Sequence, residues 1–195
     1  MIYITKTNLK NPKEIPNIIS HLSKYKEIME ERRENKKGKI KFYHLHWPRE
    51  SYFFEKGPKI LSVRKCPVPI FVYTEEEAFV MMAFNVIKTD RINLKYLTGL
   101  LNSKLIAFWL KHKGKMQGNN YQIDKEPLLS LPLINPTDKK IEKQIETLVD
   151  EIINLKQIHG SSTDTTDLET KIDQLVYKLY DLSDKEIEVV EKNIL

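Results

Sequence analysis

Two short runs of aliphatic residues near the C-terminus constrain this chain most. Ile141, Ile145, Leu148, Ile152 and Leu155 fall at alternating spacings of four and three, and Leu168, Ile172, Leu175, Leu179 and Leu182 repeat the pattern. That rhythm puts each set on one stripe of an α-helix. The segment between them, 159–166, reads HGSSTDTT and is long enough only to reverse the chain. An antiparallel helical hairpin is therefore expected over 137–195. Ser183 followed by Glu186 has the spacing of a capping box and predicts a last short helix.

The residues ahead of the hairpin mix two periods, which predicts an α+β body over 1–136. Pro16 suits a first helical turn, and Ile18, Leu22, Tyr25 and Met29 make one apolar stripe, so a helix is expected over 16–34. Runs rich in β-branched and aromatic residues at 39–46, 59–64, 70–73 and 78–88 read as strands. Turn-like clusters without helices separate them, which favours a mostly antiparallel sheet. Helix returns after Asn93, a good N-cap, and Asn102-Ser103 read as a fresh cap for a second helix over 104–113. Residues 114–122, GKMQGNNYQ, read as a loop.

Charge divides along the same line. The chain carries a net charge of +5, but residues 1–136 sum to +11 and residues 137–195 to −6. A basic body and an acidic tail suggest different partners. Nucleic acid is the usual polyanion, because each Lys or Arg that neutralises a phosphate releases counterions; ordinary surface solubility explains the same numbers.

Several chemistries are excluded. The longest purely apolar run, 78–84, falls far short of the roughly 20 residues that span a bilayer. Lys6 and Lys10 interrupt the region where a signal peptide keeps its apolar stretch, and the single cysteine, Cys66, excludes an internal disulfide. A cytoplasmic location is the expectation. The sequence holds no G-x-G-x-x-G, no Walker A motif, no H-E-x-x-H and no G-x-S-x-G. Also absent is the N-P-P-Y tetrapeptide of adenine-N6 methyltransferases: Asn11-Pro12 and Asn135-Pro136 begin it and do not continue. Asp167, Glu169 and Lys171 imitate a metal-nuclease pattern but lie between the seam positions of the second helix, where a charged surface explains them. His44 and His46 share one face of a strand with no third ligand nearby. No catalytic residue, cofactor site or metal site is expected in this chain.

What remains suits nucleic acid. No acidic residue occurs from Arg91 to Ile123, a stretch with six positive charges. At its end, Lys111, Lys113 and Lys115 can position phosphates, and Gln117, Asn119, Asn120 and Gln122 carry amides able to pair with adenine. A flexible polar loop is the rival explanation. Arg32, Arg33, Lys36, Lys37, Lys39 and Lys41 make a second cluster, followed by His46, Trp47 and Arg49; Trp47 reads as a core or packing residue or as a base-stacking one. Arg64 and Lys65 form a third small patch.

The order of these motifs carries a resemblance. P-x-I-x-x-H-L-x-x-Y-K at 16–26, E-x-R at 30–32, W-P-R at 47–49 and P-K-I-L at 58–61 come first. Y-L-x-x-L-L-N-S-K-L at 96–105, G-N-N-Y-Q at 118–122, L-P-L at 131–133 and I-D-Q-L-V-Y-x-L-Y-x-L at 172–182 follow. From about Ile15 to Ile194 the chain resembles the TaqI-like C-terminal specificity domain of type IIG restriction-modification enzymes and adenine-N6 DNA methyltransferases. The resemblance implies a target-recognition domain that reads a short double-stranded DNA sequence. It also implies a separate catalytic part, in cis or as another subunit, that binds S-adenosylmethionine and methylates adenine. Base-reading residues do not transfer, because they vary with the target. The alternative is an assembly module that docks another protein through the helical hairpin.

Overall fold

The 16–34 stripe is helical in three pieces, α1 (Pro16–Ser23), α2 (Lys26–Glu30) and α3 (Arg33–Lys36). The break before α3 has a visible cause. Arg32 takes extended backbone, with φ −60° and ψ 135°, and its guanidinium gathers carbonyl oxygens. It donates to Met29 at 2.7 Å, Phe42 at 2.7 Å, His44 at 2.9 Å and Lys41 at 3.3 Å. The same contacts explain why 39–46 is not a strand. Its carbonyl groups face a guanidinium where a neighbouring strand would stand, and the segment turns back on itself. His44 is buried within that turn and accepts the Lys41 N–H through Nδ1 at 3.1 Å. Burial, reinforced by Lys6, Arg32 and Lys41, lowers its pKa. A small core of Ile4, Leu9 and Leu22 lies among these segments.

This computed structural model describes residues 2–9, 11–136 and 139–194. They divide into two compact units, Met1–Phe53 and Phe54–Leu195. The second unit is built on six short strands: β1 (Lys59–Val63), β2 (Lys65–Cys66), β3 (Phe71–Thr74), β4 (Phe84–Ile87), β5 (Lys115–Gln117) and β6 (Asn120–Gln122). They form two antiparallel sheets, ordered β3-β1-β4 and β2-β6-β5. The run 78–88 extends only in its second half, where it meets β1. Alternation along the first sheet buries Ile60 and Phe71 and leaves Val63 and Val72 exposed, with Val68, Ile70, Met81 and Met82 exposed nearby in sequence.

Two helices back these sheets, α4 (Leu94–Asn102) and α5 (Lys104–Lys113). Asn93 caps α4 as expected, accepting from the N–H groups of Lys95 at 2.8 Å and Tyr96 at 3.1 Å. Ser103 ends α4 and caps α5. Asn102 serves the sheet instead. Its Oδ1 accepts the Phe71 N–H at 2.9 Å and its Nδ2 donates to the Phe71 carbonyl at 2.7 Å, so one side-chain amide completes the edge of β3. Ile60, Phe71, Leu97, Leu101, Ile106, Leu110 and Ile123 form the core between helices and sheets.

Four more helices follow, α6 (Lys125–Leu129), α7 (Lys139–His159), α8 (Thr166–Leu179) and α9 (Asp184–Ile194). One half of the capping box forms: Glu186 reaches back to accept the Ser183 N–H, and it also takes the Ser183 hydroxyl as a donor. Helices α7 and α8 pack on each other and on α4. Ile145, Val149, Ile172 and Val176 close around Tyr96 and Leu100. Their approach is tight at Gly99, where a Cβ would stand 2.4 Å from Ile145 Cγ2. The stripe is thus wider than a two-helix seam, and Val149, Val176 and Tyr177 join it.

The acidic third also answers cations of the body. Lys95 pairs with Asp150 at 2.6 Å, Lys104 with Glu191 at 2.7 Å, and Lys111 Nζ donates to the Asn193 carbonyl. Part of the charge asymmetry is therefore internal pairing.

Candidate nucleic-acid interface

The segment 114–122 is a β-hairpin. Gln117 pairs with Asn120, so Gly118 and Asn119 alone make the turn, and Gly118 takes φ +60°. A glycine at the first of two turn positions with positive φ is the preferred II′ hairpin chemistry. That Gly-Asn pair was the available signal; the amide-rich flanks, poor in β-branched residues, hid it.

Register sorts the side chains by face. Cys66, Tyr121 and Met116 stand in one cross-strand row and pack on the core. Lys65, Gln122 and Lys115 stand in the next row, and successive residues of a strand point to opposite faces. Lys65, Lys115, Gln117 and Asn119 are exposed, and Asn120 and Gln122 are half-buried. Lys113, at the end of α5, is exposed beside this row in sequence.

Arg64 lies directly before β2, and Asp124 directly after Ile123, whose N–H donates to the Arg64 carbonyl at 2.7 Å. An Arg64 guanidinium N–H donates to Asp124 Oδ1 at 2.6 Å, and Gln122 Nε2 donates to Asp124 Oδ2 at 2.9 Å. The hydrogen bond from Arg64, with smaller help from Gln122 and Lys115, holds the Asp124 carboxyl below the usual carboxylate range.

The other basic residues behave differently. Of the six cations between Arg91 and Ile123, Lys95, Lys104 and Lys111 are engaged inside the protein. In the first unit Lys37 and Lys39 are exposed, while Lys36 pairs with Glu31. Arg49 is half-buried, and its carbonyl accepts from the Tyr3 hydroxyl. His46 bonds to buried Glu34, a contact that lowers the Glu34 pKa. Its ring stacks on Trp47 with centroids 5.3 Å apart. Trp47 is 64% exposed, so it is not a core residue.

Elsewhere on the second unit, Leu148 and Leu175 line an open groove between α7 and α8 together with Lys140, Lys143, Lys171 and Lys178. Among the described residues, no three His, Cys, Asp or Glu side chains cluster as metal ligands, and no helix is long and apolar enough to cross a membrane.

Comparison with known proteins gives this surface a context. The type II methyltransferase M.HincII of Haemophilus influenzae is 24% identical over 159 residues, covering 73% of this chain and 31% of that enzyme. M.HindII of the same species is 27% identical over 108 residues, covering 53% of this chain and 20% of the relative. The chain therefore spans under a third of the length of either. The type IIL restriction-modification enzyme MmeI, solved in complex with DNA, shares the fold over 98% of this chain and 28% of its own, with a TM-score of 0.69 and 14% identity. The pattern of the TaqI-like C-terminal specificity domain matches residues 4–133, and the chain belongs to that family.

Proposed function

We propose that this chain reads a short sequence in double-stranded DNA for a type II restriction-modification enzyme and catalyses nothing itself. One observation carries the reading: the β2-β6-β5 sheet turns a row of lysines and amides away from the core, at the end of a stretch without acids. Lys65, Lys113 and Lys115 set register on phosphates, and Gln117, Asn119, Asn120, Gln122 and Arg64 reach base edges. Lys36, Lys37, Lys39, His46 and Arg49 offer a further phosphate-binding patch on the first unit. Lys111, bonded to α9, supports the sheet rather than the DNA.

Methyl transfer belongs to a catalytic part in cis or on another subunit. This chain has no glycine-rich turn after a strand to hold S-adenosylmethionine, so that cofactor is assigned to the partner. The apolar outer face of the first sheet suits such a partner, since exposed Val63 and Val72 have Ile70, Met81 and Met82 as exposed companions. Docking through the hairpin seam is less well supported, because that seam is buried on α4; the groove lined by Leu148 and Leu175 is what the described residues leave for it.

Fluorescence anisotropy with labelled duplexes over a salt series tests the reading. Binding that weakens linearly in log salt, and more steeply than for single strands, supports it. Capture of a partner protein with no duplex binding at low salt overturns it in favour of assembly.

A further inference from the structure

Asp124 stands where its helix needs it for something else. It occupies the N-cap position of α6, where an aspartate ordinarily accepts hydrogen bonds from the first turn, yet its side chain caps nothing. Both carboxylate oxygens turn to the sheet surface, one to Arg64 at 2.6 Å and the other to Gln122 at 2.9 Å. It is also the first acid after the acid-free stretch that begins at Arg91. A carboxylate there repels phosphate, so its presence needs a reason other than affinity. The Arg64–Asp124 ion pair supplies little on its own account, since the two side chains are 42% and 26% exposed and exposed pairs contribute little to stability.

Resting on the DNA-reading function above, we infer that Asp124 is the positioning residue of a two-part base-reading site formed by Arg64 and Gln122. Asp124 takes one N–H of Arg64 Nη2; the second Nη2 N–H, with that of Nε or of Nη1, makes no hydrogen bond among the described residues and leaves one pair of parallel donors. Two donors in a fixed fork match N7 and O6 of guanine. Donation from Gln122 Nε2 fixes which end of that amide is which, leaving Oε1 as an acceptor for the amino group of adenine or cytosine. Because both groups meet on one carboxylate, they address the same or neighbouring base pairs. Lys65 and Lys115 flank Gln122 in register and hold the phosphates on either side.

The test is selection of binding sites from a randomised duplex library by the 195-residue chain and its variants, with thermal melting of each. The wild type enriches a motif containing guanine. Arg64→Ala loses that guanine alone, a discrimination of about tenfold or more, and Gln122→Ala relaxes the same or the adjacent position. Asp124→Ala relaxes both positions and leaves the rest of the motif, whereas Lys65→Ala weakens all duplexes alike. An unchanged motif with Asp124→Ala, or affinity lost evenly over every position, overturns the inference and leaves the DNA-reading function standing. A wild-type chain that binds no duplex overturns both.

Discussion

The backbone N–H of Lys104 donates to the carboxylate of Asp173 at 2.8 Å, joining the start of α5 to the middle of α8 across 69 residues of sequence. The network continues through Glu191, which accepts from Lys104 Nζ at 2.7 Å and from the Tyr177 hydroxyl at 2.8 Å. Burial outweighs the favourable contacts with Lys104 and pushes the Asp173 pKa up to about 6.

That displacement has a sign. Between the unfolded value near 4 and about 6, the folded chain holds a proton that the unfolded chain releases, so this residue's contribution to stability falls as pH rises through that window. Asp173→Asn keeps an acceptor for Lys104 and removes the titration. The variant should match the wild type near pH 4 and exceed it at pH 7 by on the order of 2 kcal/mol. Urea melts at both pH values measure the difference. A constant gap between variant and wild type across the range contradicts the prediction.

Gly99→Ala sets two effects against each other. Alanine gains roughly 1 kcal/mol of helix propensity, but the added Cβ meets the fully buried, β-branched Ile145 at 2.4 Å. Overpacking should win and destabilise by about 1–3 kcal/mol, with Ile145→Ala in the same chain recovering part of it. Ile145→Asp should cost several times more than Leu175→Asp, because Leu175 borders the open groove. Thermal melting ranks all four.

Lysines close in sequence should separate by role. Lys113→Ala and Lys115→Ala should each lower the salt slope of duplex binding by about one unit. Lys111→Ala should leave the slope unchanged and lower the melting temperature, since its ammonium holds α9. Asn119→Ala should cost about 1–3 kcal/mol mainly on the preferred site.

Arg32→Lys should destabilise the first unit despite conserving charge. An ammonium cannot satisfy four carbonyl oxygens spread over Met29, Lys41, Phe42 and His44. A loss of about 2–4 kcal/mol is expected, read from the fluorescence of exposed Trp47. Arg33→Lys, at a largely exposed position, should change little.

Val72→Glu, on the outer face of the first sheet, should leave the melt of the isolated chain within about 0.5 kcal/mol. It should also reduce self-association measured by light scattering. Strong destabilisation would show that this face is covered within the chain.

The helical parts were legible because their signals are local. Asn93 and Ser103 cap as read, Ser183 and Glu186 form half of their box, and α7 and α8 carry the heptad residues from Ile141 to Leu179, with Leu182 in the turn beyond α8. The errors came from partners distant in sequence. Nothing near 39–46 reveals that Arg32 takes its carbonyl groups, and nothing near 94–102 reveals that Asn102 completes a strand edge. For the candidate interface, residue types single out 111–122 but read its end as a loop, and only strand register separates the outward Lys115 and Gln122 from inward Met116 and Tyr121. Asp124 was invisible as a partner of Arg64, because 60 residues lie between them.

The burial of Ile145 and Val176 on Tyr96 and Leu100 bears on how such a domain is exchanged between enzymes. A recombination event or an engineered graft that ended near residue 136 would transfer the β2-β6-β5 sheet and leave behind the helices that cover α4. The recipient would inherit a bare tyrosine and leucine and, unless its own helices matched them, an insoluble chimera. A transferable piece of this fold therefore includes α7 and α8, however far they lie from the β2-β6-β5 sheet in sequence.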